Sequence, residues 1–123
     1  MIVAFGIGVA GGVGAGLRWL IDATMPRPAG PGFPWPILLV NVTGCVAFVA
    51  LMMLGPGVLP AEDVAIVGTG LLGGYTTFST VSVDTAAMWR QGRRRAAIGN
   101  AGGTLAACIA ASLVTALLLA PFA

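Results

Sequence analysis

The residues best suited to chemistry lie in one run, Gly73-Gly74-Tyr75-Thr76-Thr77-Phe78-Ser79-Thr80. Two adjacent glycines weaken a helix, and serine and threonine hydroxyls offer the backbone competing hydrogen bonds. The run falls inside an otherwise apolar segment from about Val64 to Met88. A membrane-crossing helix is therefore predicted here, broken near residues 74–79. A break leaves the last carbonyls of its first half and the first N–H groups of its second half without partners, which suits the former to a cation and the latter to an anion. Such backbone persists at membrane depth only where protein or a watery cavity shields it. Ion sites in transporters are built this way.

Other polar residues stand in apolar surroundings. Asn41 is an amide that would cost ~4–8 kcal/mol in hydrocarbon without a partner, on the strictest transfer scale. It either bonds a neighbouring helix or turns its N–H donors toward a path for an anion. Asn100, Thr104 and Cys108 recur every four residues, giving one weakly polar stripe on a helix; most such stripes are interhelical contacts. Arg18 can snorkel to the interface or hydrogen-bond neighbouring carbonyls, and snorkelling carries more weight. Cys45 and Cys108 read as small packing residues and not as halves of a disulfide. With no His and two Cys, a transition-metal site is not expected. No nucleophile, base and metal constellation can be assembled, so an enzyme is not expected either.

The elements that must position these residues follow from composition. Of 123 residues, 58% are hydrophobic and 8% charged, and the mean hydropathy is +0.98. That leaves too little polar surface for a soluble monomer. The reading is an all-α integral membrane protein, one transmembrane domain over 1–123, with helices at about 2–21, 35–54, 64–89 and 96–119. The first apolar run has no basic stretch before it and reads as a span, not a cleaved signal. Gly8, Gly12 and Gly16 share one face of it and predict a packing surface. The linker Met25 to Pro36 is dense in Pro and Gly and predicts an irregular loop. Asp63 is placed to begin the third helix, and Asp84 reads as a solvated or Arg-paired position near the far interface. Arg27 and the Arg90 to Arg95 cluster share one side of a four-span chain, whereas Glu62 and Asp63 occupy the other. The positive-inside rule puts the Arg loops in the cytoplasm and both termini outside.

Together, Gly-Gly-Tyr-Thr-Thr-Phe-Ser-Thr at 73–80, Leu-Val-Asn-x-x-Gly at 39–44 and the Gly-rich run ending in Arg18-Trp19 resemble the small Fluc (CrcB) fluoride channels of bacteria. The resemblance covers essentially the whole chain. It implies a double-barrelled dimer of antiparallel subunits in the bacterial inner membrane, passing fluoride passively out of the cytoplasm. It also implies one structural sodium ion at the dimer centre, coordinated by carbonyls at the positions matching Gly73 and Thr76. No nucleic-acid partner is expected. Fluoride holds its water tightly, so a pore must offer many donors in exchange, and the Asn41 amide and the Ser79 and Thr80 hydroxyls are candidates. Phe78 would present its electropositive ring edge. By the same resemblance Asn100 and Thr104 fall where the family's fourth span carries a pore-facing Tyr and Ser, while Arg18 is structural.

One position departs from the family's pattern. Where a second Phe normally follows the first by three residues, this chain has Val81, which has no positive edge for an anion. Either its pores use one aromatic fewer, as a homodimer, or it is half of a heterodimer whose paralogous partner of opposite orientation supplies the ring. The one-sided Arg distribution favours the second. Two other classes compete. A small four-span multidrug or cation exporter needs an intramembrane carboxylate, absent from the first span. A non-transporting assembly protein would explain the glycines but not the hydroxyl-rich break.

Overall fold

The computed structural model describes residues 1–26 and 32–123, all of whose regular structure is helical. Arg27 and the centre of the Pro-rich linker lie outside the described residues. Four helical segments, Ile2–Thr24, Trp35–Gly57, Ala61–Arg90 and Arg94–Phe122, are long and apolar enough to cross a membrane. The architecture fits a four-span membrane protein.

Helix α1 (Ile2–Thr24) is apolar from Ile2 to Leu17 and carries Arg18 and Asp22 in its last two turns. Helix α2 (Trp35–Leu54) begins at Pro34 with a second proline in its first turn, where a missing N–H costs nothing. A short turn over Gly55–Gly57 leads to α3 (Ala61–Ala65), whose first turn carries Glu62 and Asp63, the charge sign that a helix N-terminus favours. The helix then widens into a π-helical stretch, Ile66–Leu72, and tightens again as α4 (Gly73–Tyr75). Thr76 and Thr77 have extended backbone angles. Helix α5 (Phe78–Arg90) follows them and ends at Gly92, which has φ 76°. There Gly92 N–H bonds Trp89 O at 3.0 Å and Arg93 N–H bonds Met88 O at 2.9 Å, a Schellman closure that needs a left-handed residue. Helix α6 (Arg94–Leu119) completes the chain apart from a last turn, Ala120–Phe122.

Two packing units result. Helix α1 lies along the π-helical stretch and α4, while α2 and α5 both pack against α6. The first contact is backbone on backbone. A Cβ at Gly14 would collide with the Leu71 carbonyl, and one at Gly74 with the Gly11 carbonyl. Glycine at these two positions lets α1 close on the helix ahead of the break. The glycines used are thus not Gly8, Gly12 and Gly16, which have nothing within 4 Å and face outward. The buried apolar core is small, made of Ile37, Val40, Val81, Met88 and Ala97. Large apolar side chains cover the outside instead, as a chain solvated by lipid requires.

Candidate functional site

The site grows from the two extended residues between α4 and α5. Thr77 caps α5: its Oγ1 accepts the Thr80 N–H at 3.1 Å, the usual service of a threonine before the first helical turn. The same oxygen donates to Thr80 Oγ1 at 3.0 Å and shares a 3.1 Å hydrogen bond with Ser79 Oγ. From α2, Asn41 reaches the Thr77 main chain with both ends of its amide. Its Oδ1 accepts the Thr77 N–H at 2.7 Å, and its Nδ2 donates to the Thr77 carbonyl at 3.1 Å. Asn41 and Thr77 are both buried.

These bonds decide which carbonyls stay open. In an unbroken helix the Gly73 carbonyl would receive the Thr77 N–H, and the Thr76 carbonyl the Thr80 N–H. The first donor is taken by Asn41 and the second by the Thr77 hydroxyl. Both carbonyls are left as oxygen ligands without a charged side chain, the donor type a hard cation selects. The Gly74 carbonyl is covered by Arg18, whose Nε donates to it at 3.4 Å. Arg18 is thus held against the end of α4, the second of the two readings weighed for it, where a cation meets the negative end of a helix.

On the other side of the break lies an open cavity of about 1050 Å³ between α2, α5 and α6. Asn41, Thr76, Phe78 and Thr104 all line it. Phe78, the first residue of α5, is 85% exposed, its ring standing free beside the break. Thr104 is buried, and its Oγ1 has no hydrogen-bond partner among the described residues. A buried hydroxyl in that state has hydrogen-bonding capacity left over.

The remaining candidates are placed differently. Ser79 is exposed and turned toward Thr77. Thr80 lines a separate cavity of about 300 Å³, with Asp22, Asp84 and Arg93 on its wall. Asn100 is 1% exposed and joins α6 to α5, its Nδ2 donating to Val81 O at 3.3 Å and to Thr85 Oγ1 at 2.9 Å. Two residues were missed by sequence reasoning: Thr77, the hub of the break, and Tyr75, whose hydroxyl shares a 3.0 Å hydrogen bond with Thr43. Thr77 had a readable signal, a threonine directly ahead of a helix start. Tyr75 had none.

Two extended residues, Thr76 and Thr77, within a membrane-length helical segment stand beside a cavity lined by an amide and an aromatic ring, in a chain with four segments of membrane-spanning length. The family model described as CrcB-like protein, Camphor Resistance (CrcB), matches residues 5–116, and the chain belongs to that family. Curated relatives carry the name fluoride-specific ion channel. FluC 2 of Nocardia farcinica is 38% identical over 110 residues, covering 88% of this chain and 78% of that protein. FluC of Rhizobium meliloti is 43% identical over 90 residues, 71% of either chain. FluC 1 of Symbiobacterium thermophilum is 40% identical over 115 residues, 87% of this chain and 93% of that one. The family is one of ion channels and not of enzymes.

Proposed function

We propose that the chain is a subunit of a fluoride-selective channel that passes fluoride passively out of the cytoplasm across the inner membrane and so relieves its toxicity. The observation that carries this reading is the clamp of Asn41 on Thr77, which holds a helix open beside the free ring of Phe78. The relatives' names supply the ion. Desolvating fluoride demands compensating donors. Asn41 contributes an amide N–H not used in the clamp, Thr104 its unpartnered hydroxyl and Phe78 its ring edge.

The occupant of the open cavity face is a second subunit in the opposite orientation, and the breaks of the two third spans meet at mid-membrane. The two carbonyls of Gly73 and Thr76 complete only part of a cation's shell, and a second copy doubles the set. A sodium ion there supplies a fixed positive charge joining the two breaks. Val81 is buried against α6 with its carbonyl held by Asn100, so this chain brings one pore ring where its family brings two. A heterodimer with a ring-bearing paralogue accounts for that.

Fluoride efflux from liposomes holding the protein alone, with chloride as control, tests the reading. Fluoride flux without chloride flux is expected of a homodimer. Flux appearing only with the paralogue present identifies the heterodimer. Equal flux of both ions removes selectivity.

A further inference from the structure

Three residues in a row, Tyr75, Thr76 and Thr77, are met by one turn of α2. Behind the break, Asn41 holds the Thr77 peptide. Ahead of it, the Tyr75 hydroxyl and Thr43 Oγ1 lie 3.0 Å apart. Thr43 has one hydroxyl hydrogen, and its Oγ1 stands 2.7 Å from the Leu39 carbonyl, which can only accept. Thr43 therefore donates to Leu39 and accepts from Tyr75. Beside them, a Cβ at Gly44 would stand 3.3 Å from Tyr75 Cδ1 and run into Thr76 Cγ2. The buried glycine seats both the ring and the methyl on the α2 backbone.

The Thr76 carbonyl lies between these two holds. It shares a planar trans peptide with the Thr77 N–H, and the two groups point opposite ways. With that N–H on Asn41 Oδ1, the carbonyl faces away from Asn41. One hydrogen bond fixes a line but leaves the peptide plane free to swing about it. Helix α4, which leads into this plane, is a single turn following a π-helical stretch, too short to hold a direction by its own bonds. Helix α1 touches the turn at Gly74, and Tyr75 ties it to α2. We propose that Tyr75 is a positioning residue: its hydroxyl on Thr43 and its ring on Gly44 fix the chain ahead of the break and so set where the Thr76 carbonyl points. This role rests on the reading of that carbonyl as a cation ligand.

Two measurements on the full chain in detergent test it. One is hydrogen–deuterium exchange over residues 73–80, with α6 as internal reference. The other is the sodium concentration that gives half of the sodium-induced rise in thermal midpoint. Tyr75→Phe should speed exchange at 73–80 about fivefold, the worth of one neutral hydrogen bond, with α6 unchanged. It should raise the half-effective sodium concentration by about the same factor, which a plain loss of stability does not move. Thr43→Val should match it, and the two together should do no more than either, because they remove one bond. Thr43→Ser should behave as the unaltered chain. Unchanged exchange in Tyr75→Phe, effects of the two variants that simply add, or a Thr43→Ser chain no better than Thr43→Val would overturn the role. So would faster exchange with the sodium concentration unmoved. A protein indifferent to sodium in every form removes the cation reading instead, and exchange at 73–80 then decides whether Tyr75 holds the break.

Discussion

The side-chain amide of Asn41 pairs with the main chain of Thr77 as a neighbouring strand would, accepting its N–H at 2.7 Å and donating to its carbonyl at 3.1 Å. An extended residue inside a membrane-length helix has two peptide groups that no helical turn can serve. One asparagine on the next helix serves both. The choice posed by the sequence, between an interhelical bond and a donor for an anion, therefore does not exclude either: the amide does the first and has one N–H left for the second.

Asn41→Leu should destabilise the protein by roughly 2–6 kcal/mol, since a buried N–H and a buried carbonyl each lose a partner at ~1–3 kcal/mol apiece. Denaturation in detergent measures it. A loss under about 0.5 kcal/mol would mean that water already serves the Thr77 peptide.

How much of this was legible depended on whether a signal was local. The Gly-Gly pair and the hydroxyl run are contiguous, so the position of the irregular backbone at Thr76 and Thr77 could be expected from propensity alone. The α1 contact could not be read the same way. Glycines at 8, 12 and 16 form the cleaner periodic stripe, but contact inside the chain is made by Gly11 and Gly14, because which face turns inward is set by the partner helix. Asn100 and Thr104 share a stripe in sequence and part company in the fold. One is satisfied by α5 and the other has no bond among the described residues, a difference invisible in spacing.

Phe78→Ile should abolish fluoride flux while leaving stability within about 0.5 kcal/mol, the range of surface substitutions. The ring is 85% exposed in the single chain, so little packing is lost, and isoleucine keeps the bulk but not the positive edge. Flux and thermal midpoint measured on one preparation separate the two effects. Unchanged flux would remove Phe78 from the pathway.

The glycine contacts predict a contrast within one helix pair. Gly74→Ala sets a methyl against the Gly11 carbonyl, and backbone cannot yield as a side chain tip does, so about 1–3 kcal/mol should be lost. Gly12→Ala meets nothing within 4 Å and should leave the fold of the chain unchanged or slightly firmer, by the helix preference of Ala over Gly. Unfolding curves for the two variants side by side decide the matter, and equal losses would mean that α1 does not dock through this face.

Thr77→Val tests how the carbonyls are kept open. Valine has nearly the same shape but no oxygen to accept the Thr80 N–H, which then returns to its helical acceptor, the Thr76 carbonyl. Asn41 still holds the Thr77 peptide, so the Gly73 carbonyl stays free and only one of the two ligands is lost. If sodium binds there, replacing it with a large organic cation should lower the thermal midpoint of the unaltered protein, and Thr77→Val should shrink that shift. A midpoint indifferent to sodium in both proteins would show that the open carbonyls hold no cation. A shift of equal size in both would show that the Thr77 hydroxyl is not what frees the Thr76 oxygen, because a ligand's stabilisation falls with its affinity.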